Sequence, residues 1–289
     1  MSFFGIIGRK NEFSRHLYLN LSYSRRIFES SEGVWPIDVS AVFFHSFSTE
    51  KDWSGLISAF HPAEQARISR FAREEDRLRK AASHMLLAIM LGEKLGAGYR
   101  ELIFRRGGYG KPYLDRDQAP QFNVSASGAL VVCAVAQAEV GIDVERVAPF
   151  EASAMRLLLG HSESEGPAGS SEQEELEAFY ERWTLLESWL KAEGTGLHDE
   201  YPLAAFAPKP IAPKRFHMEA RQSGTVPWIL TSSNVAPSVP EQYALAVCRR
   251  PEENWTEEVL LLDGEELAKR FGALLSRDAR YAEGENNKR

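Results

Sequence analysis

Two carboxylates two residues apart, Asp143 and Glu145, lie in the stretch Val140-Gly141-Ile142-Asp143-Val144-Glu145. The run just before it, Ala129-Leu130-Val131-Val132-Cys133-Ala134-Val135-Ala136, is apolar and rich in β-branched residues, the pattern of a buried strand. A turn at Gln137-Ala138-Glu139 starts a second strand, and strand residues two apart face the same side. Like charges held on one face repel unless a cation lies between them. Oxygen donors at this spacing suit Mg²⁺, which takes one or two carboxylates together with substrate phosphates. An isolated Asp-x-Glu is usually a solvated strand end, so the weight comes from a second segment downstream.

That segment runs from Phe179 to Leu197 and follows Ser170-Ser171-Glu172-Gln173-Glu174-Glu175, which has the spacing of a capping box. Gly194 is a stop signal. Phe179, Trp183, Leu186 and Leu190 mark an apolar helix face, and Glu187 and Lys191, four apart, are neighbours. As a plain surface pair they would contribute only about 0.3–0.5 kcal/mol. Glu187, however, shares a side with Trp183, close to the buried stripe, where a carboxylate needs Lys191 or a metal as partner.

Three further features can meet anions. Arg67, Arg70, Arg73, Arg77 and Arg79 cluster ahead of and within a long amphipathic helix, either paired with Glu74, Glu75 and Asp76 on a solvated face or gripping phosphate. Gly107-Gly108-Tyr109-Gly110-Lys111-Pro112 is a Gly-rich bend, on its own a plain turn more than a phosphate loop. Ser125, in Phe122-Asn123-Val124-Ser125, is either a turn residue or a hydroxyl donor to a phosphate oxygen.

Taken in order, Tyr109-Gly110-Lys111-Pro112, Phe122-Asn123-Val124-Ser125, Gly141-Ile142-Asp143-Val144-Glu145, and Trp183 to Lys191 with Gly194-Thr195-Gly196-Leu197 resemble the 4′-phosphopantetheinyl transferases of the surfactin-synthetase-activating (Sfp-like) group. The likeness runs from about residue 55 to about residue 250. It implies Mg²⁺-dependent transfer of phosphopantetheine from coenzyme A to a serine of an apo acyl or peptidyl carrier protein, releasing adenosine 3′,5′-bisphosphate. By the same resemblance Asp143, Glu145 and Glu187 hold the metal. Glu187, directly or through water, or else Lys191, takes the serine proton. Arg79 first and Arg67 second meet the 3′-phosphate of coenzyme A, Lys111 a phosphate or the adenosine end, and Ser125 a phosphate oxygen. Two positions depart from the family: Ala126 stands where His usually follows the Ser, and Leu186 where many members carry Lys before the Glu. They keep open a non-catalytic homologue that binds coenzyme A or a carrier protein. A different Mg²⁺-dependent phosphotransferase or hydrolase would leave Gly110-Lys111-Pro112 unexplained. A glycosidase fits less well, because its two carboxylates flank the sugar instead of sharing a strand face.

The elements that must position these groups read as an α+β fold. A strand is expected at Ala41–Phe47, a helix starting near His61-Pro62, a long helix from Arg73 to about Gly96, and short strands at Leu102–Phe104 and after Gly110. Beyond Arg146 come a short helix (Met155–Leu159), an acidic Ser/Gly loop (162–170), the long helix to Glu193, and strands at Leu203–Phe206, Arg215–Glu219, Trp228–Thr231 and Tyr243–Cys248. The order of long helix, Gly stop, short strands and apolar run occurs twice. This predicts two pseudo-symmetric halves, each a small sheet with a long helix, and an active site in the cleft between them. The expected divisions are an N-terminal extension (1–38), halves at 39–147 and 148–252, and a C-terminal helix with polar tail (253–289).

Composition bounds the rest. The 289 residues are 44% hydrophobic, enough for a sizeable core, and the net charge of −7 argues against a general nucleic-acid binder. No apolar run reaches the ~18 residues of a membrane span. Phe3-Phe4-Gly5-Ile6-Ile7 is too short for a signal segment, which predicts a cytoplasmic protein; a monomer is expected. Cys133 and Cys248 each lie in an apolar run and read as buried thiols.

Overall fold

The computed structural model describes residues 36–44, 50–149, 171–196, 206–219, 226–234 and 241–286. In chain order these form β1 (Asp38–Phe43), α1 (Glu50–Ser58), α2 (Pro62–Ile68), α3 (Glu74–Leu95), a 3-10 turn (Tyr99–Glu101), β2 (Phe104–Arg106), β3 (Pro112–Leu114), β4 (Gln121–Ser127), β5 (Leu130–Ala136) and β6 (Val140–Arg146). Then follow α4 (Glu172–Glu193), β7 (Lys209–Ala212), β8 (Arg215–Met218), β9 (Trp228–Asn234), β10 (Tyr243–Arg249), β11 (Leu260–Asp263) and α5 (Gly264–Asn286). Apart from its last three residues, the expected 1–38 extension lies outside the described residues. So do Met155–Leu159, the loop 162–170 and residues 203–205 of an expected strand.

One sheet has the order β11-β1-β5-β4, a second the order β6-β10-β9-β8-β7, and β2 and β3 form a separate hairpin. Side-chain alternation explains how the two sheets meet. On β5, Leu130, Val132, Ala134 and Ala136 join Val140, Ile142 and Val144 of β6 and Tyr243, Leu245 and Val247 of β10 in one core. The intervening Ala246 and Cys248 of β10 point the other way, into a core with Leu185, Leu186, Trp189 and Leu190 of α4. Each large apolar side chain so buried contributes about 1.5–3 kcal/mol. Helix α3 packs on β5 of the first sheet, and α4 on β6 and β10 of the second. The fold is therefore mixed α and β, with one long helix on each sheet.

Both long helices have the ends their sequences announce. Ser171 caps α4 by accepting from the Glu174 amide, while the Glu174 carboxylate accepts from the Ser171 amide. Gly96 and Gly194 end α3 and α4 in the left-handed region, at φ 64° and 75°.

Some elements differ from the sequence expectation. Residues 99–101 form a 3-10 turn, so the strand expected at Leu102–Phe104 begins only at Phe104. The C-terminal helix expected within 253–289 starts only at Gly264, because Leu260–Asp263 forms a strand that pairs in parallel with β1, and Asp263 Oδ1 then accepts from the Glu266 amide (2.8 Å) to start α5. Asp-x-x-Glu after a Leu run was the signal for that boundary. The C-terminal strand thus joins the first sheet, α5 packs on α3, and β6 joins the second sheet through β10.

Candidate active site

The site is built where β4 runs beside β6. The two strands lie at the edges of different sheets, and alternate side chains of β4 bridge them. Asn123 Oδ1 accepts from the Ile142 amide (3.0 Å), and Ser127 Oγ accepts from the Arg146 amide (3.1 Å). Edge-strand amides of β6 are thereby satisfied without backbone pairing. Between these two bridges, Ser125 Oγ donates to Asp143 Oδ1 (2.8 Å), and Ser127 Oγ also donates to Glu145 Oε2 (2.7 Å). Asn123, Ser125 and Ser127 thus share the β4 face that meets Asp143 and Glu145.

Helix α4 supplies the other wall. It approaches β6 so closely at Gly141 that an added Cβ would collide with the Ser188 carbonyl and the Ala192 amide. That approach delivers Lys191: its Nζ donates to Asp143 Oδ1 (2.5 Å) and to Ser125 Oγ (3.0 Å). Sequence spacing pairs Lys191 with Glu187 on the helix, but the direct bond goes across to the strand. Asp143 is only 2% exposed, and its second oxygen, Oδ2, is buried without a hydrogen-bond partner.

The electrostatics follow from burial and crowding. Burial raises Asp143, with Lys191 and the Ser125 hydroxyl opposing. Burial also raises Glu145; Ser127 lowers it and Asp143 raises it further. Glu187 is raised by burial, lowered by Lys191 and raised again by Asp143 and Glu145. Three carboxylates therefore sense one another around one ammonium. Among the described residues no three Asp, Glu, His or Cys side chains form a closed metal cage as they stand. Still, an orphaned buried carboxylate oxygen beside two further raised carboxyls has the chemistry of a hard-cation site.

The remaining expected residues lie at separate places. Arg79 Nε donates to the Gly128 carbonyl at the end of β4 (2.9 Å), and its guanidinium pairs with Asp76 (2.6 Å) and Glu75 (2.7 Å). Arg67 pairs with Glu64 (3.0 Å). Lys111 donates to the carbonyls of Ala192 (3.0 Å) and Val140 (3.5 Å). Ala126 alternates away from Ser125 and Ser127. Leu186 is 1% exposed in the core beneath the second sheet, so it leaves no gap in the cleft. Sequence reasoning did not single out Lys80, whose pKa burial lowers, with Glu64 opposing and Arg67 and Arg106 lowering it further. Its only signal was its place beside Arg79 in the basic run.

At the junction of β4, β6 and α4 a buried aspartate is thus held by Lys191 and Ser125, with Glu145 and Glu187 electrostatically coupled to it. Comparison with known families is more specific. Residues 47–138 match the model described as 4′-phosphopantetheinyl transferase, N-terminal, and residues 139–248 match the 4′-phosphopantetheinyl transferase superfamily. Among curated relatives, the 4′-phosphopantetheinyl transferase gsp of Aneurinibacillus migulanus is 30% identical over 143 residues, 50% of this chain and 60% of that protein. The 4′-phosphopantetheinyl transferase Sfp of Bacillus subtilis is 26% identical over 212 residues, 73% of this chain and 91% of its own length. The human L-aminoadipate-semialdehyde dehydrogenase-phosphopantetheinyl transferase is 27% identical over 174 residues, 55% of this chain and 56% of its own. The chain belongs to the 4′-phosphopantetheinyl transferase superfamily and is an enzyme of that class. No helix among the described residues is long and apolar enough to cross a membrane.

Proposed function

We propose that the protein transfers the 4′-phosphopantetheine group of coenzyme A to a serine of an apo acyl or peptidyl carrier protein, with Mg²⁺ as cofactor. The observation that carries this reading is Asp143. One oxygen is fixed by Lys191 and Ser125, and the other is buried without a partner beside Glu145 and Glu187.

In the proposed reaction the serine Oγ forms a bond to the phosphorus that carries pantetheine. The bond from that phosphorus to the bridging oxygen breaks, and adenosine 3′,5′-bisphosphate leaves. Asp143, Glu145 and Glu187 would hold Mg²⁺, which when bound supplies Lewis-acid compensation of the pyrophosphate charge. Glu187, already raised above the ordinary glutamate value, takes the serine proton directly or through water. Lys191 keeps Asp143 and Ser125 in register and is the second candidate for the base. In this reading the Ser125 hydroxyl, which donates to Asp143 in the free protein, turns to a phosphate oxygen of coenzyme A. In this reading Arg79, with Arg67 and the neighbouring Lys80, meets the 3′-phosphate, which then competes with Asp76 and Glu75 for Arg79 and with Glu64 for Arg67.

The test is incubation of purified protein with coenzyme A, Mg²⁺ and a panel of apo carrier proteins, read by intact mass. Addition of one phosphopantetheine that chelation abolishes and that Asp143→Ala and Glu187→Ala each suppress supports the reading. Wild-type transfer by both variants would remove the metal assignment. Coenzyme A binding without transfer to any carrier would favour the non-catalytic alternative.

A further inference from the structure

We infer that Lys111 is a positioning residue: its ammonium ties the Gly110-Lys111-Pro112 bend to the last turn of α4 and the first residue of β6, and so holds Lys191 and Glu187 against Asp143. This deepens the transferase reading and rests on it.

The geometry is a closed ring of contacts. Lys111 Nζ donates to Ala192 O, 81 residues away, and to Val140 O, 29 residues away. Its stem lies beside the helix stop, where a Cβ on Gly194 would meet Lys111 Cδ at 3.2 Å. Ala192 follows Lys191, and Val140 opens the strand whose Asp143 receives the Lys191 ammonium. The last carbonyls of a helix lack partners within it. The Gly194 amide satisfies Leu190 O, and Lys111 satisfies Ala192 O. A cation at that end is also favoured by the helix dipole. Burial lowers the Lys111 pKa because it penalises the charged form, with Glu139 opposing, so the latch rests on the two carbonyl contacts. The two carbonyls use two of the three ammonium donors, and holding the helix end acts on a different step from gripping a ligand. The latch and a ligand contact therefore have different kinetic signatures.

The test compares Lys111→Met and Lys111→Arg with wild type, using kcat and KM for coenzyme A at saturating carrier. Amide hydrogen exchange of the segment Leu190–Gly194 is measured in parallel, without substrates. A displacement of the reacting groups by about 1 Å lowers turnover on the order of 100-fold. The methionine variant should therefore lose 10- to 100-fold in kcat, with KM for coenzyme A within about three-fold of wild type. Exchange at the helix end should be faster. Arginine, which can donate to both carbonyls, should recover most of kcat and of the protection. A rise in KM of about ten-fold or more with kcat preserved would assign Lys111 to coenzyme A and overturn the inference. Unchanged exchange in the methionine variant would overturn it equally. If wild-type protein transfers nothing, the transferase reading fails, and the exchange result still judges the latch. If the methionine variant does not fold, Lys111→Gln, which keeps one donor group, takes its place against the same outcomes.

Discussion

Replacing Gly141 with alanine tests the crossing that brings the helix groups to the strand groups. The added methyl would meet backbone atoms of Ser188 and Ala192, and Ala192 Cβ at 3.0 Å, with no flexible side chain to yield. Regaining ordinary contact requires α4 to lift by about 1 Å or more. Overpacking of this kind costs about 1–3 kcal/mol, which for a chain of this size lowers Tm by about 2–12 °C. The larger effect should be on catalysis. Lys191 adjoins Ala192 and reaches Asp143 at 2.5 Å, so the lift opens that bond and moves Glu187 with it. A 1 Å misplacement lowers turnover on the order of 100-fold. The assay is holo-carrier formation by intact mass at saturating coenzyme A, with a thermal melt of the same sample. Gly55→Ala, in α1 and away from the site, is the control, because a Cβ there meets nothing within 4 Å. Wild-type kcat and an unmoved Tm in Gly141→Ala would refute the argument that this contact sets the site geometry.

Burial raises Asp143, Glu145 and Glu187 in the folded protein, so their contribution to stability is present below their ordinary values of 3.8, 4.5 and 4.5 and is lost as pH rises through the folded values. Mg²⁺ should therefore raise Tm more at about pH 8 than at about pH 5, and an equal or larger rise at the lower pH would count against a carboxylate site. Arg79→Ala should weaken coenzyme A binding about 10- to 100-fold and 3′-dephospho-coenzyme A much less, because one charged hydrogen bond to phosphate is removed. Equal losses in calorimetry would place Arg79 elsewhere, as a brace between its acidic partners and Gly128. Ala126→His should lower KM for coenzyme A and leave kcat nearly unchanged; a raised KM would mean that groups of α3 already occupy that space.

What was legible in the sequence was local. A period of two put Asp143 and Glu145 on one strand face, and the Ser171 capping box and Gly194 stop bounded the helix that carries Glu187 and Lys191. What was not legible depends on which strand edge meets which helix face. The Lys191 ammonium goes to Asp143 because Gly141 lets α4 come down onto β6, and no spacing within either segment encodes that distance. For the same reason Asn123 and Ser127 could not be read as the groups that satisfy the free edge of β6. Within its own segment Lys111 had only a Gly-rich bend around it, which suggests phosphate. Its carbonyl partners lie in two other segments and emerge only once the helix end and strand start converge. The motifs thus mark points where three segments meet, and each residue's chemistry follows from the neighbour it acquires there. For Asp143 those neighbours leave one oxygen fixed and one without a partner, which makes it the residue through which both metal affinity and turnover should be most sensitive to change.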